Sequence, residues 1–219
     1  MYHCVLFDVD GTMIDSEPYY VHCLNEVCRR FLGSGGAPEE ALRRCFAMNS
    51  HDALRALGIG AYALSEAVAL YDALCFQADK VPVCPGILAL LSALRQDGAH
   101  LAIYSARYSY EFERDPALKP LLPYFDEIIC VGSQPSKPDP GGVLDYLRRH
   151  RLAKDEVLYA GDSHIDSLTA QRAGIDLAMC EWKRLRNPQR YPARYYCSRP
   201  EQILSIWQEN RRGLCMAEG

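Results

Sequence analysis

Residues 4–15 of the chain read CVLFDVDGTMID. Two carboxylates, Asp8 and Asp10, stand one residue apart at the end of an apolar run and directly before Gly11 and Thr12. On an extended strand end, an i, i+2 spacing lets both side chains reach the same edge. One could then act as a nucleophile while the other, beside it, gives and takes a proton. Two acids at the end of a buried strand repel each other and lose their hydration, so something must compensate. Gly11 allows the backbone to turn back, and the amides of residues 9–12 could cradle an anion.

Three further strand ends carry polar groups of the required kinds. Ser105 follows HLAIY, Lys137 lies in SQPSKPDP after the run 128–131, and AGDSHID places Asp162 and Asp166 after the run 157–160. Converging on one sheet edge, these residues supply four carboxylates, one ammonium and one hydroxyl. Carboxylates that close retain protons unless cations balance them. A hard divalent cation such as Mg²⁺ does so with one or two carboxylates, water and substrate phosphate. Gathering negative charge around a metal and an anion is the requirement of phosphoryl transfer, where positioning and charge stabilisation are most of the catalysis.

The elements that must position these groups alternate along the chain. Short Val/Ile/Leu-rich runs at 4–8, 100–104, 127–131, 156–160 and 176–180 predict strands. Between them, Ile87, Leu90, Leu91 and Leu94, and then Val143, Leu144 and Leu147, recur at helical spacing. Such alternation predicts an α/β fold with a doubly wound, Rossmann-like parallel sheet, whose ligands bind beyond the carboxyl ends of the strands. Residues 16–81 break the alternation. Their faces (Val21, Leu24, Cys28, Phe31; Leu64, Val68, Tyr71, Cys75) are helical throughout, with turns at GSGG (33–36) and GIGA (58–61). The expected division is a core of residues 1–15 and 82–219 with an all-helical insert, 16–81, after the first strand.

Composition narrows the classes further. The chain has 219 residues, 49% hydrophobic and 24% charged, with a net charge of -4. Those values suit a globular protein and give no electrostatic footprint for nucleic acid. The most basic stretch, 183–194, is short and interrupted by Pro188 and Pro192, and is expected to be a solvated loop. No apolar run approaches the ~20 residues that span a bilayer, and the amino terminus lacks a signal-peptide pattern. The ten cysteines form no CxxC pair and the six histidines are scattered. Reduced, mostly buried cysteines in a cytoplasmic protein without a zinc site are therefore expected. No oligomeric state is read from the sequence.

DxDGT, a Ser, a Lys and GDSxxD, in this order, resemble the four motifs of the haloacid dehalogenase-like superfamily, nearly end to end and including a helical cap after the first motif. KPDP and AGDSHIDSLTAQRAG resemble its phosphoglycolate phosphatase and β-phosphoglucomutase branch. The resemblance implies that Asp8 is the nucleophile forming an aspartyl-phosphate and that Asp10 is the general acid–base. It implies that Gly11, Thr12, Ser105, Ala106 and Lys137 surround the phosphate, with Lys137 neutralising developing charge. Asp8, the Asp10 carbonyl, Asp162 and Asp166 would serve Mg²⁺, Asp166 directly or through water. In the cap loop FAMNSHDALR, Asn49, Ser50 and His51 would meet the leaving group, with Arg107 as a candidate for a carboxylate or second phosphate. Ala106 stands where family members often carry Asn.

A small phosphorylated metabolite is the expected partner, with no nucleic acid and no membrane. Asp10 argues against dehalogenase chemistry. The insert's sole lysine, Lys80, argues against a Schiff-base hydrolase. Tyr20, where the mutase pattern carries His, weakens a phosphosugar mutase reading. A phospho-aspartate switch or idle scaffold is the non-enzymatic alternative.

Overall fold

The run Cys4–Phe7 forms the first strand, β1, and all four of its side chains are buried. Burial on both faces requires partners on both edges and helices above and below, and the rest of the chain supplies them. In the computed structural model, residues 1–76, 81–132, 134–182 and 191–215 are described, without the side chains of 213–215. The other strands are β2 (His100–Tyr108), β3 (Glu127–Val131), β4 (Val157–Gly161), β5 (Asp176–Cys180) and β6 (Tyr195–Cys197). They form one parallel sheet in the order β3-β2-β1-β4-β5-β6. In register, Leu6 of β1 faces Ala102 on one side and Tyr159 on the other. Chain order reverses at β1, and the crevice beyond its carboxyl end is where such sheets bind ligands.

Four helices, α1 (Glu17–Leu32), α2 (Glu39–Phe46), α3 (Ser50–Ala56) and α4 (Leu64–Cys75), lie between β1 and β2. They enclose an apolar cluster of their own, which includes Leu24, Val27, Leu42, Leu54 and Val68. The sheet is flanked by α5 (Ile87–Gln96), α6 (Ser109–Arg114), α7 (Gly141–His150), α8 (His164–Ala173) and α9 (Glu201–Cys215). Strand alternation sorts the two faces. Val5 and Phe7 pack with Leu91 of α5 and Trp207 of α9. Cys4 and Leu6 pack with Tyr146 of α7 and Ala170 of α8. The nine cysteines with described side chains are free and buried. Among the described residues, no helix is long and apolar enough to cross a membrane.

Several boundaries differ from the sequence expectation. β1 stops at Phe7, so Asp8 opens the following loop, and β4 runs 157–161 rather than 156–160. β2 continues to Tyr108, where it pairs with Val131 after a register shift beyond Tyr104. That irregular extension carries Ser105, Ala106 and Arg107 on the strand itself rather than in a loop after it. β6 was not anticipated, since three residues on the sheet edge carry too little periodicity to register. The expected basic loop falls largely at 183–190, outside the described residues, as does Lys80.

Candidate active site

Asp8 leaves β1 with its backbone N–H donating to the Ala160 carbonyl at 2.8 Å, which anchors it between β1 and β4. Lys137 reaches it from the loop between β3 and α7. The Lys137 Nζ donates to Asp8 Oδ1 at 2.6 Å, Asp166 Oδ1 at 2.7 Å and the Tyr159 hydroxyl at 2.9 Å. These three donations satisfy the ammonium completely. The cluster is dry: Lys137, Asp8 and Asp166 are 8%, 6% and 0% exposed. Burial pushes the Asp8 carboxyl up, Lys137 pulls it down, and Asp166 and Asp10 push it up again, leaving it at about 7. For Asp166 burial also raises, but Lys137, Ser163 and Tyr159 outweigh it and hold the group below the ordinary carboxylate value.

Asp166 is fixed by its own helix. Ser163 caps α8 by accepting from the Asp166 N–H, while Asp166 Oδ2 accepts from the Ser163 N–H at 3.0 Å and its hydroxyl at 2.6 Å. Asp162, half-buried at the start of the same loop, accepts from the Thr12 hydroxyl at 3.3 Å. Gly11 makes that approach possible, because at φ +89° a Cβ there would lie 2.1 Å from Asp162 Oδ2.

One oxygen from each of Asp8, Asp162 and Asp166 lies within 4.8 Å of the others. One ammonium among three carboxylates leaves surplus negative charge, and an all-oxygen donor set suits a hard divalent cation. Asp8 Oδ2 has no protein hydrogen-bond partner among the described residues. Both Asp166 oxygens are already engaged, so Asp8 and Asp162 are the better placed to hold an ion.

Asp10 faces a second buried cation. Arg107 grips it with both arms of the guanidinium, Nε to Oδ2 and Nη2 to Oδ1, each at 2.7 Å. The Ser16 hydroxyl adds a third donor to Oδ1 at 2.7 Å. On its far side Arg107 donates to Asp115 Oδ2 at 2.6 Å and to the Tyr20 hydroxyl at 3.1 Å. Four of its five N–H groups are committed to protein partners.

Of these groups, Asp8, Asp10, Arg107, Lys137 and Asp162 line a chamber of about 320 Å³ between the sheet edge and the helical insert. The amino-acid pattern matches the family of haloacid dehalogenase-like hydrolases over residues 5–180. The chain belongs to the haloacid dehalogenase-like hydrolase family. It is 32% identical over 186 residues to the phosphoglycolate phosphatase of Rhodobacter capsulatus, covering 78% of this chain and 80% of that one. To phosphoglycolate phosphatase 1 of Pseudomonas aeruginosa it is 28% identical over 196 residues, covering 80% and 67%. The crystal structure of a candidate phosphoglycolate phosphatase from Lactobacillus plantarum superposes with a TM-score of 0.82 at 26% identity. That superposition covers 94% of this chain and 99% of the other. By class, this haloacid dehalogenase-like hydrolase is an enzyme acting on phosphoric monoesters.

The hydrolase brings Asp8, Asp10, Ala106, Lys137 and Asp162 to the chamber wall. Thr12 is fully buried behind Asp162, and Ser105 is 3% exposed with its hydroxyl accepting from the Arg107 N–H at 3.2 Å. From the insert, Asn49 and Ser50 line the chamber. Asn49 also caps α3 and donates to the Ser136 hydroxyl at 3.2 Å. His51 does not line it; its ring packs edge-on against Tyr108 at 4.8 Å. The helical phase of α3 accounts for that placement, since Asn49 and Ser50 begin a turn that carries His51 sideways.

Several participants were missed: Tyr159, Ser16, Asp115, Glu111 and Arg44. Arg44 is an exposed cation on α2 at the chamber wall, with no carboxylate partner among the described residues. The RR pair at 43–44 was the available signal for it. Glu111, 7% exposed beside the chamber, is pushed up to about 8 by burial, with Arg107 opposing and Asp10 and Asp72 adding to the rise. No motif marks Tyr159, Ser16, Asp115 or Glu111.

Proposed function

We propose that this hydrolase cleaves a small phosphomonoester with Mg²⁺ bound, through an aspartyl-phosphate on Asp8. The observation that carries the reading is the shared ammonium: Lys137 joins Asp8 and Asp166 at 2.6 and 2.7 Å, with Asp162 close by. Such a charge set is costly to bury and has a purpose only where an anion and a cation complete it. Asp8 and Asp162 would hold Mg²⁺ together with the Asp10 carbonyl, and the bound ion would neutralise charge on the phosphoryl oxygens.

Lys137 fixes Asp8 Oδ1, leaving Oδ2 to attack phosphorus. As the Oδ–P bond forms, the bond from phosphorus to the ester oxygen breaks, and Asp10 gives that oxygen its proton. Asp10, now anionic, takes a proton from water, whose oxygen displaces Asp8 from phosphorus and releases orthophosphate. The backbone amides at Ala106 and Gly11 and the Ser105 hydroxyl would hold phosphoryl oxygens, while Asp166 acts through Lys137 and Ser163.

The helical insert, 16–81, serves as a cap over the core formed by 1–15 and 82–219, excluding bulk water. A chamber of about 320 Å³ suits a small metabolite, and phosphoglycolate, named for the relatives, is the first substrate to offer. Asn49, Ser50 and Arg44 are the cap residues placed to meet a leaving group.

The test is hydrolysis of p-nitrophenyl phosphate with and without Mg²⁺. The unsubstituted chain turns it over only with the metal. D8N, still folded by its melting curve, loses turnover by at least about 10³-fold. Retained turnover in D8N would overturn the reading.

A further inference from the structure

Arg107 is buried at 5% exposure, and its reach is spent within the protein. Nε and one Nη2 hydrogen hold the two Asp10 oxygens, the other Nη2 hydrogen meets Tyr20, and Nη1 meets Asp115. The far end of the array is itself pinned. Asp115, 2% exposed, accepts from the Tyr20 hydroxyl at 2.7 Å and from the Ala117 N–H at 2.9 Å, capping the short turn Pro116–Leu118. The guanidinium also lies 5.3 Å from the Tyr20 ring centroid. Asp10 is the open end of this chain of contacts, its side chain 19% exposed against 5% for Arg107 and 3% for Asp115. Both Asp10 and Arg107 line the chamber, and Asp10 is the more exposed of the two.

We propose that Arg107 is a positioning residue that aims the Asp10 carboxyl at the leaving-group oxygen, with Asp115 and Tyr20 as its fixed mount. The inference rests on the phosphatase reading above and assigns Arg107 a role that no substrate contact requires. A bidentate guanidinium fixes both the place and the plane of a carboxylate, which a lysine cannot do. Ser16 and Tyr20 belong to the start of the helical insert, whereas Arg107 and Asp115 follow β2. The mount therefore joins the two parts of the molecule at the residue that moves the proton.

Departure of an alkyl alcohol needs a proton from Asp10 as the bond from phosphorus to oxygen breaks. Departure of p-nitrophenolate does not. An ill-aimed Asp10 should therefore harm alkyl esters selectively, and a misplacement of about 1 Å costs on the order of 10²-fold. The experiment compares kcat/KM, which covers the steps through leaving-group departure, for glycerol 2-phosphate, phosphoglycolate and p-nitrophenyl phosphate, all with Mg²⁺.

In R107M the two alkyl esters lose about 10²-fold and the aryl ester less than about tenfold, while R107K and Y20F fall in between. Beryllium fluoride binding to Asp8, read by the shift in melting temperature, stays intact in folded variants. If R107M does not fold, R107K and Y20F carry the same comparison. Equal losses on all three esters would overturn the proposal. So would a loss confined to phosphoglycolate, which would make Arg107 a holder of the substrate carboxylate. No turnover by the unsubstituted chain would overturn the phosphatase reading and this inference together.

Discussion

Lys137 and Arg107 sit on either side of the stretch Asp8-Val9-Asp10, and each bridges two carboxylates and a tyrosine hydroxyl. Lys137 meets Asp8, Asp166 and Tyr159; Arg107 meets Asp10, Asp115 and Tyr20. The likeness ends at the shape of the cation. An ammonium is a point charge on a flexible stem, so Lys137 can turn part of its charge toward a phosphoryl group when one arrives. A guanidinium is a rigid fork, and four of the five Arg107 N–H groups are fixed on Asp10, Asp115 and Tyr20. In the proposed reaction the first cluster shifts toward an arriving ligand, and the second gives Asp10 a fixed direction.

Substitutions should expose that difference, and the largest effect belongs to the Lys137 side. K137M leaves two buried carboxylates around an apolar chain. Stability should fall by about 3–5 kcal/mol and turnover of p-nitrophenyl phosphate by on the order of 10²–10³-fold, read by denaturant melts and steady-state rates. A K137M chain as stable as its parent would break the comparison. G11A drives a methyl group into Asp162 and forces a non-glycine residue to positive φ. Turnover should drop by about 10²-fold, with part of the loss recovered at raised Mg²⁺ concentration if Asp162 holds the ion.

Glu111 sharpens the Arg107 side. Its folded value, about 8, lies above the ordinary carboxylate range because burial outweighs the nearby guanidinium. The protonated form is thus favoured in the folded chain. The stability it gives is fully present below the unfolded value near 4.3 and is lost progressively as pH rises to 8. E111Q does not suffer this loss. Its melting temperature relative to the parent should climb between pH 5 and 8 and level off above, a gain of about 1–3 kcal/mol at the alkaline end. A flat difference would show that Arg107 already keeps Glu111 ionised. The smallest effect is that of Y20F, which removes one bond to Asp115 and one to Arg107 and should cost about 1 kcal/mol in denaturant titration.

The two clusters also differ in how far the amino-acid sequence revealed them. Asp8 and Asp162 stand at the ends of apolar runs and Lys137 in a loop after one, in an order that implies phosphoryl chemistry and resembles a known family, so charge at strand ends together with the resemblance made them visible. The Arg107 mount draws on Tyr20, 87 residues earlier, and on Asp115, eight residues later, in segments without periodicity or motif. Only the extension of β2 past Tyr104 brings them together, and that extension depends on a register shift against β3 that no local pattern encodes. A lone arginine near a phosphate motif likewise gives no sign of which protein groups its donors meet. The strands 127–131 and 176–180 were legible to the residue as short apolar runs, the first β-branched and ending at Gly132, the second preceded by Gly174 at the end of a helix.

The central claim is that a carboxylate oxygen of Asp8 bonds to phosphorus while Lys137 steadies its partner oxygen. Crystals grown with Mg²⁺ and beryllium fluoride test it most directly, because beryllium trifluoride mimics a phosphoryl group on a carboxylate. The account predicts beryllium bonded to Asp8 Oδ2, with Lys137 still within hydrogen-bond distance of Oδ1. Beryllium fluoride bound elsewhere, or excluded, with both Asp8 oxygens unmodified, would contradict it.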